Sequence, residues 1–176
     1  MAVHFEHAGD PEKATAYRLL AGQQALDTYA LPDAIWHYEQ AQTLAAERTV
    51  QVDAYFGLAR AHFAADQLDD ALTSILQALQ LVEGHDPRAA SLFLLQAEIL
   101  FACYEVDAAE SAARAAQQAA ETMGEQEAIC RAFRYWDRFA APVAETSTWK
   151  LTTFHRRCHS AAKRTIAGEK VVRWQI

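Results

Sequence analysis

Three stretches of this 176-residue chain share one internal spacing: 32–44 (PDAIWHYEQAQTL), 69–81 (DDALTSILQALQL) and 107–119 (DAAESAARAAQQA). In each, an acidic residue shortly precedes an alanine, and a second alanine follows seven places later. The pairs are Ala34 and Ala41, Ala71 and Ala78, and Ala109 and Ala116. The leading alanines are spaced by 37 and then 38 residues. A period of a few tens of residues, with helical spacing inside each copy, predicts stacked helix pairs. Few breakers interrupt the pattern, with 6 Gly and 4 Pro against abundant alanine, so the expectation is an all-α fold.

Proline and glycine punctuate the chain. Asp10-Pro11 and Asp86-Pro87 each read as an acid at the N-cap with proline at the first helical position. Leu31-Pro32-Asp33 opens another helix with an acid near its positive end. Gly84 and Gly124 fall where a C-cap glycine belongs. The predicted helices run over 11–29, 32–47, 50–65, 68–83, 87–103, 106–122 and 125–140, with a fragment at 2–8. Connections this short make neighbouring helices antiparallel.

The repeat extends beyond the alanines. Residues 54–72 align with 92–110 at a constant shift of 38, pairing Ala59 with Ala97, Phe63 with Phe101 and Asp69 with Asp107. In the first unit Gly22 stands at the position of Ala59, and Leu26 at that of Phe63. Small residues therefore recur in mid-first helix and early second helix, where two helices can approach closely.

This pattern resembles the tetratricopeptide repeat over residues 10–122, most specifically at Leu58, Ala59, Ala71, Ala78 and Leu79. The resemblance implies a superhelix of antiparallel helix pairs, about three repeats with partial end helices. The period exceeds the family's 34, so longer turns between repeats are expected. The alanine-heavy third unit (Ala112, Ala113, Ala115, Ala116) is expected to be thinner or more mobile. The opening HFEHAGDPEKATAYRLLAGQQAL is similar to the repeat region behind the ATPase module of large bacterial transcriptional regulators and adenylate cyclases. That likeness implies a fragment or relative of a larger signalling protein, with an array that begins inside a repeat.

In arrays of this kind the first helix of each unit lines a concave face. The resemblance thus assigns a partner-binding groove to Gln23, Leu26 and Asp27, to Phe56, Arg60 and Phe63, and to Leu94, Glu98 and Phe101. Phe63 and Phe101 fit core or groove equally, since helical aromatic stripes usually face inward. The Lys/Asn pattern with which some family members clamp a terminal carboxylate is not matched, because Gln, Arg and Glu stand there. An apolar floor with one Arg and scattered acids suits a peptide or helix of mixed character.

Charge is distributed unevenly. Residues 150–176 hold seven Lys/Arg and one acid, whereas the preceding residues are net −13. The division expected is a helical repeat domain over 1–142 and a basic tail or cap over 143–176. The tail could form short strands, an irregular cap or a disordered segment. The acidic body argues against an extended nucleic-acid footprint. The alternative function is contact with nucleic acid or another anionic surface through the basic end. Phe133, Tyr135, Trp136 and Phe139 crowd the last helix with Arg131, Arg134 and Arg138, a mixture suited to closing the core or to self-association.

No catalytic, cofactor-binding or metal-binding residues are expected. His4 and His7, and His155, Cys158 and His159, lack the remaining ligands of a tetrahedral zinc site. No nucleophile elbow, phosphate loop or HExxH occurs, so the chain does not read as an enzyme. Asp69/Asp70 and Glu125/Glu127 read as helix starts and solvated faces. Three scattered cysteines, Cys103, Cys130 and Cys158, read as reduced thiols, the first two in helices. With no signal peptide or apolar span, the expected setting is cytoplasmic, without a membrane, and the expected partner is a protein or peptide. The function expected is a regulatory interaction scaffold.

Overall fold

The computed structural model describes residues 11–83 and 86–123. Among these residues are six helices and no strand: α1 (Pro11–Asp27), α2 (Leu31–Leu44), α3 (Arg48–Ala64), α4 (Leu68–Leu81), α5 (Ala89–Ala102) and α6 (Val106–Met123). The expected helices at 2–8 and 125–140, the basic end, both His clusters, Cys130 and Cys158 lie outside the described residues. Helices pack as the pairs α1–α2, α3–α4 and α5–α6, and each pair joins the next through α2–α3 and α4–α5. The first helices also touch one another, α1 with α3 and α3 with α5.

All six spaced alanines are buried to within 1% exposure, and Ala34, Ala71, Ala78 and Ala109 lie in the clusters where helices come close. The large residues then close around them in overlapping clusters. One joins Ala34 and Tyr38 of α2 to Leu58 and Ala61 of α3, with Leu19 and Leu26 of α1 against it. The next joins Val52 and Ala59 of α3 to Ala71, Ile75 and Ala78 of α4 and Leu92, Leu95 and Ile99 of α5. The third is built from Ala97, Leu100, Ala109 and Ala112, so the last pair packs with little side-chain bulk.

The turn inside every pair has the same construction. Tyr29, Asp66 and Tyr104 adopt left-handed backbone at φ 62°, 60° and 63°. Each follows the end of a first helix, and the next residue's N–H reaches back five residues: Ala30 to Ala25 O at 2.8 Å, Gln67 to His62 O at 2.9 Å, Glu105 to Leu100 O at 2.9 Å. The left-handed residues donate the inner bond, Tyr29 to Leu26 O, Asp66 to Phe63 O and Tyr104 to Phe101 O. These are Schellman ends, which satisfy carbonyls that the helix leaves open. They recur at 37 and 38 residues, the spacing of the alanines.

Some boundaries differ from expectation. Asp86 does not cap α5 with Pro87 as its first residue; Pro87 and Arg88 form a turn and Ala89 begins the helix. The Asp86 carboxylate instead accepts from the Arg88 N–H at 2.8 Å and from its guanidinium at 2.9 and 2.7 Å. Cys103 sits just past α5 as its C-cap rather than within the helix. The longer inter-repeat turn occurs once: residues 45–47 link α2 to α3, but 82–88 link α4 to α5. Across that second link, Arg88 also donates to Asp53 of α3 at 2.8 Å and to Thr49 O at 2.7 Å, and Arg48 pairs with Glu83. Arg88 is consequently held strongly protonated, first by Asp86 and then by Asp53, while Arg88 pulls the Asp86 carboxyl below its ordinary range.

Candidate functional site: a polar row across the first helices

A close approach between helices sets the floor of this region. Tyr38 of α2 is 3% exposed, and its ring lies between two helical glycines. A Cβ at Gly22 of α1 would stand 3.0 Å from the ring, and one at Gly57 of α3 only 2.2 Å. The ring thus fills space that only glycine leaves free at position 57 and that a side chain at position 22 would crowd. At the corresponding positions of the next unit, Ile75 meets Ala59 and Leu95 within one cluster, a smaller wedge between larger walls.

A row of polar side chains crosses between α1 and α3. Gln23 Nε2 donates to Asp27 Oδ1 at 2.6 Å, and Arg60 Nη1 donates to Gln23 Oε1 at 2.8 Å. The Arg60 guanidinium carbon lies 6.0 Å from the Phe56 ring centroid, at the outer limit of a cation–π contact. Tyr38 feels both charges: burial pushes its phenol up, Arg60 opposes that shift and Asp27 reinforces it.

Of the nine residues assigned from the resemblance, the structure brings Gln23, Asp27, Phe56 and Arg60 together. Leu26 and Phe63 are half-buried and lean on the first and second clusters, so each divides its surface between core and exterior. Phe101 leans on the third cluster in the same way. Leu94 and Glu98 are half-buried on α5. Glu98 has no bond to the Arg60 row; burial alone raises its carboxyl above the ordinary range.

A second constellation was missed by sequence reasoning. Arg18 of α1 is 4% exposed, with its guanidinium carbon 4.5 Å from the Trp36 ring centroid. Arg18 Nη1 approaches His37 Nδ1 at 3.4 Å, and Trp36 meets His37 edge-on at 4.9 Å between centroids. Burial, and then the Arg18 charge, lower the His37 pKa, with Asp33 acting the other way. The available signal was the lone tryptophan at a position where the other units have Thr73 and Ser111.

Among the described residues no group of His, Cys, Asp or Glu is arranged to hold a metal, and no helix is long and apolar enough to cross a membrane. Comparison of the chain with protein-family models gives no match, and comparison with curated proteins gives none.

Proposed function

We propose that the chain is a tetratricopeptide-type scaffold that binds a peptide segment of a partner protein along the faces of α1, α3 and α5. The observation that carries this reading is the Asp27–Gln23–Arg60 row, which places equivalent positions of two successive units side by side. Contacts between successive first helices support an inner layer made of α1, α3 and α5. The half-buried Leu26, Phe56 and Phe63 beside the row supply apolar surface next to polar groups that fix orientation. A regulatory, cytoplasmic setting accords with the same reading.

The test uses peptides enriched from a random display library on the whole chain. Their affinity, measured by fluorescence anisotropy, should fall about 10-fold on Arg60→Ala, the scale of losing one charge-assisted hydrogen bond. Thr73→Ala, on an exposed part of α4, should leave it unchanged. Binding that responds to Thr73 and ignores Arg60 and Phe56 would place the partner elsewhere.

A further inference from the structure

Gln23, Arg60 and Glu98 occupy one repeat position, separated by 37 and 38 residues. In the first two units that position is settled internally, because Gln23 and Arg60 bond to each other at 2.8 Å. Arg60 turns toward α1, and Glu98 on α5 makes no hydrogen bond or ion pair with any described residue. Asp27 is answered by Gln23, Asp53 and Asp86 by Arg88, and Glu83 by Arg48, while Asp66, Asp69, Asp70 and Glu105, which make no ion pair with a described residue, stand exposed to water. Glu98 also shares its helix face with half-buried Leu94, one turn earlier. A carboxylate kept partly out of water without a partner is costly for the fold and gains most from an arriving cation.

We propose that Glu98 receives a Lys or Arg side chain from the bound peptide segment, so that the partner is an apolar segment bearing a basic residue opposite α5. This inference rests on the reading of α1, α3 and α5 as the binding face. Arg60 and Glu98 then divide the labour: the first, tied to Gln23 through Nη1, keeps its remaining N–H groups for the segment, and the second supplies an open negative charge. Charge complementarity favours a cationic side chain over an acidic or apolar one, because placing either of those against Glu98 leaves the carboxylate unpaired.

The experiment repeats the display selection on the whole chain with Glu98 as wild type, as Glu98→Gln and as Glu98→Lys. Wild-type peptides should share one Lys or Arg among apolar positions and lose about 10-fold in affinity on Glu98→Gln, a step of one decade in Kd. Selection on Glu98→Lys should replace that basic residue with Asp or Glu. Gln matches Glu in shape, and circular dichroism of both variants checks that the fold is retained. Peptides that depend on Arg60 but carry no basic position, with affinity untouched by Glu98→Gln, overturn this proposal and leave the binding face standing. Peptides indifferent to Arg60, Phe56 and Glu98 alike overturn both.

Discussion

Replacing Gly57 with alanine sets two opposing effects against each other at one atom. In an exposed helix interior, Gly→Ala stabilises by about 1 kcal/mol, since glycine loses more backbone freedom on folding. Here the new methyl would lie 2.2 Å from Tyr38 Cε1 and 2.5 Å from Cδ1 and Cζ. Carbon atoms sit comfortably at about 3.5–4.0 Å, so the ring must retreat by more than an ångström. Room toward Gly22 is limited too, since a Cβ built there would lie only 3.0–3.1 Å from the same ring atoms. Overpacking in such a site costs about 1–3 kcal/mol, so after the propensity gain a net destabilisation of up to about 2 kcal/mol is expected. For a chain of this length that lowers the melting temperature by up to about 8 °C, read by far-UV circular dichroism. In a Tyr38→Ala background the obstruction is gone, and Gly57→Ala should become stabilising by up to about 1 kcal/mol. A parent chain made more stable by Gly57→Ala, or an equal effect in both backgrounds, would refute the wedge.

Tyr104 is 91% exposed in left-handed backbone, so Tyr104→Gly should stabilise by about 0.5–1 kcal/mol in urea unfolding; a loss of that size would mean the ring makes contacts that outweigh the strain. Burial raises the Glu98 pKa, so its contribution to stability is present below the unfolded pKa and lost as pH rises through the folded one. Glu98→Gln should accordingly raise the melting temperature at neutral pH, with the gain fading once the solution is acid enough to protonate carboxylates in the unfolded chain. An equal gain at both ends of that range would remove ionisation as the cause.

Spacing made the helix pairs legible, because alanine at a close helix crossing leaves a mark that needs no partner to be known. Ala34, Ala71 and Ala109 can be placed at contacts from their spacing alone, and all are buried. The identical turns were harder to see. Glycine is the usual sign of a Schellman end, and here Tyr29, Asp66 and Tyr104 stand in its place. Their 37- and 38-residue spacing was available, but nothing in a tyrosine points to positive φ. The Tyr38 wedge was half legible: Gly22 registered as a small residue, whereas Gly57 is matched by Leu95 in the next unit, so the repeat did not mark it. Arg88 bonds to Asp53, 35 residues earlier, and such a pairing across a link has no periodic trace. For the binding face, sequence supplied the positions, and only side-chain geometry distinguished the internally paired Arg60 from the unanswered Glu98.

The helix α3 gives Leu58 and Ala61 to the cluster before it and Val52 and Ala59 to the cluster after it. It is therefore a party wall between neighbouring rooms, owned by both. The written repeat is two helices long, but each closed parcel of hydrophobic packing takes three, α1–α2–α3 and α3–α4–α5. Lengthening such a chain by one pair adds a whole parcel, because the pair borrows a wall already built. Removing α3 opens two parcels at once. Duplicating this 37- or 38-residue segment would therefore add packing at one wall, whereas deleting an interior helix would strip it from two.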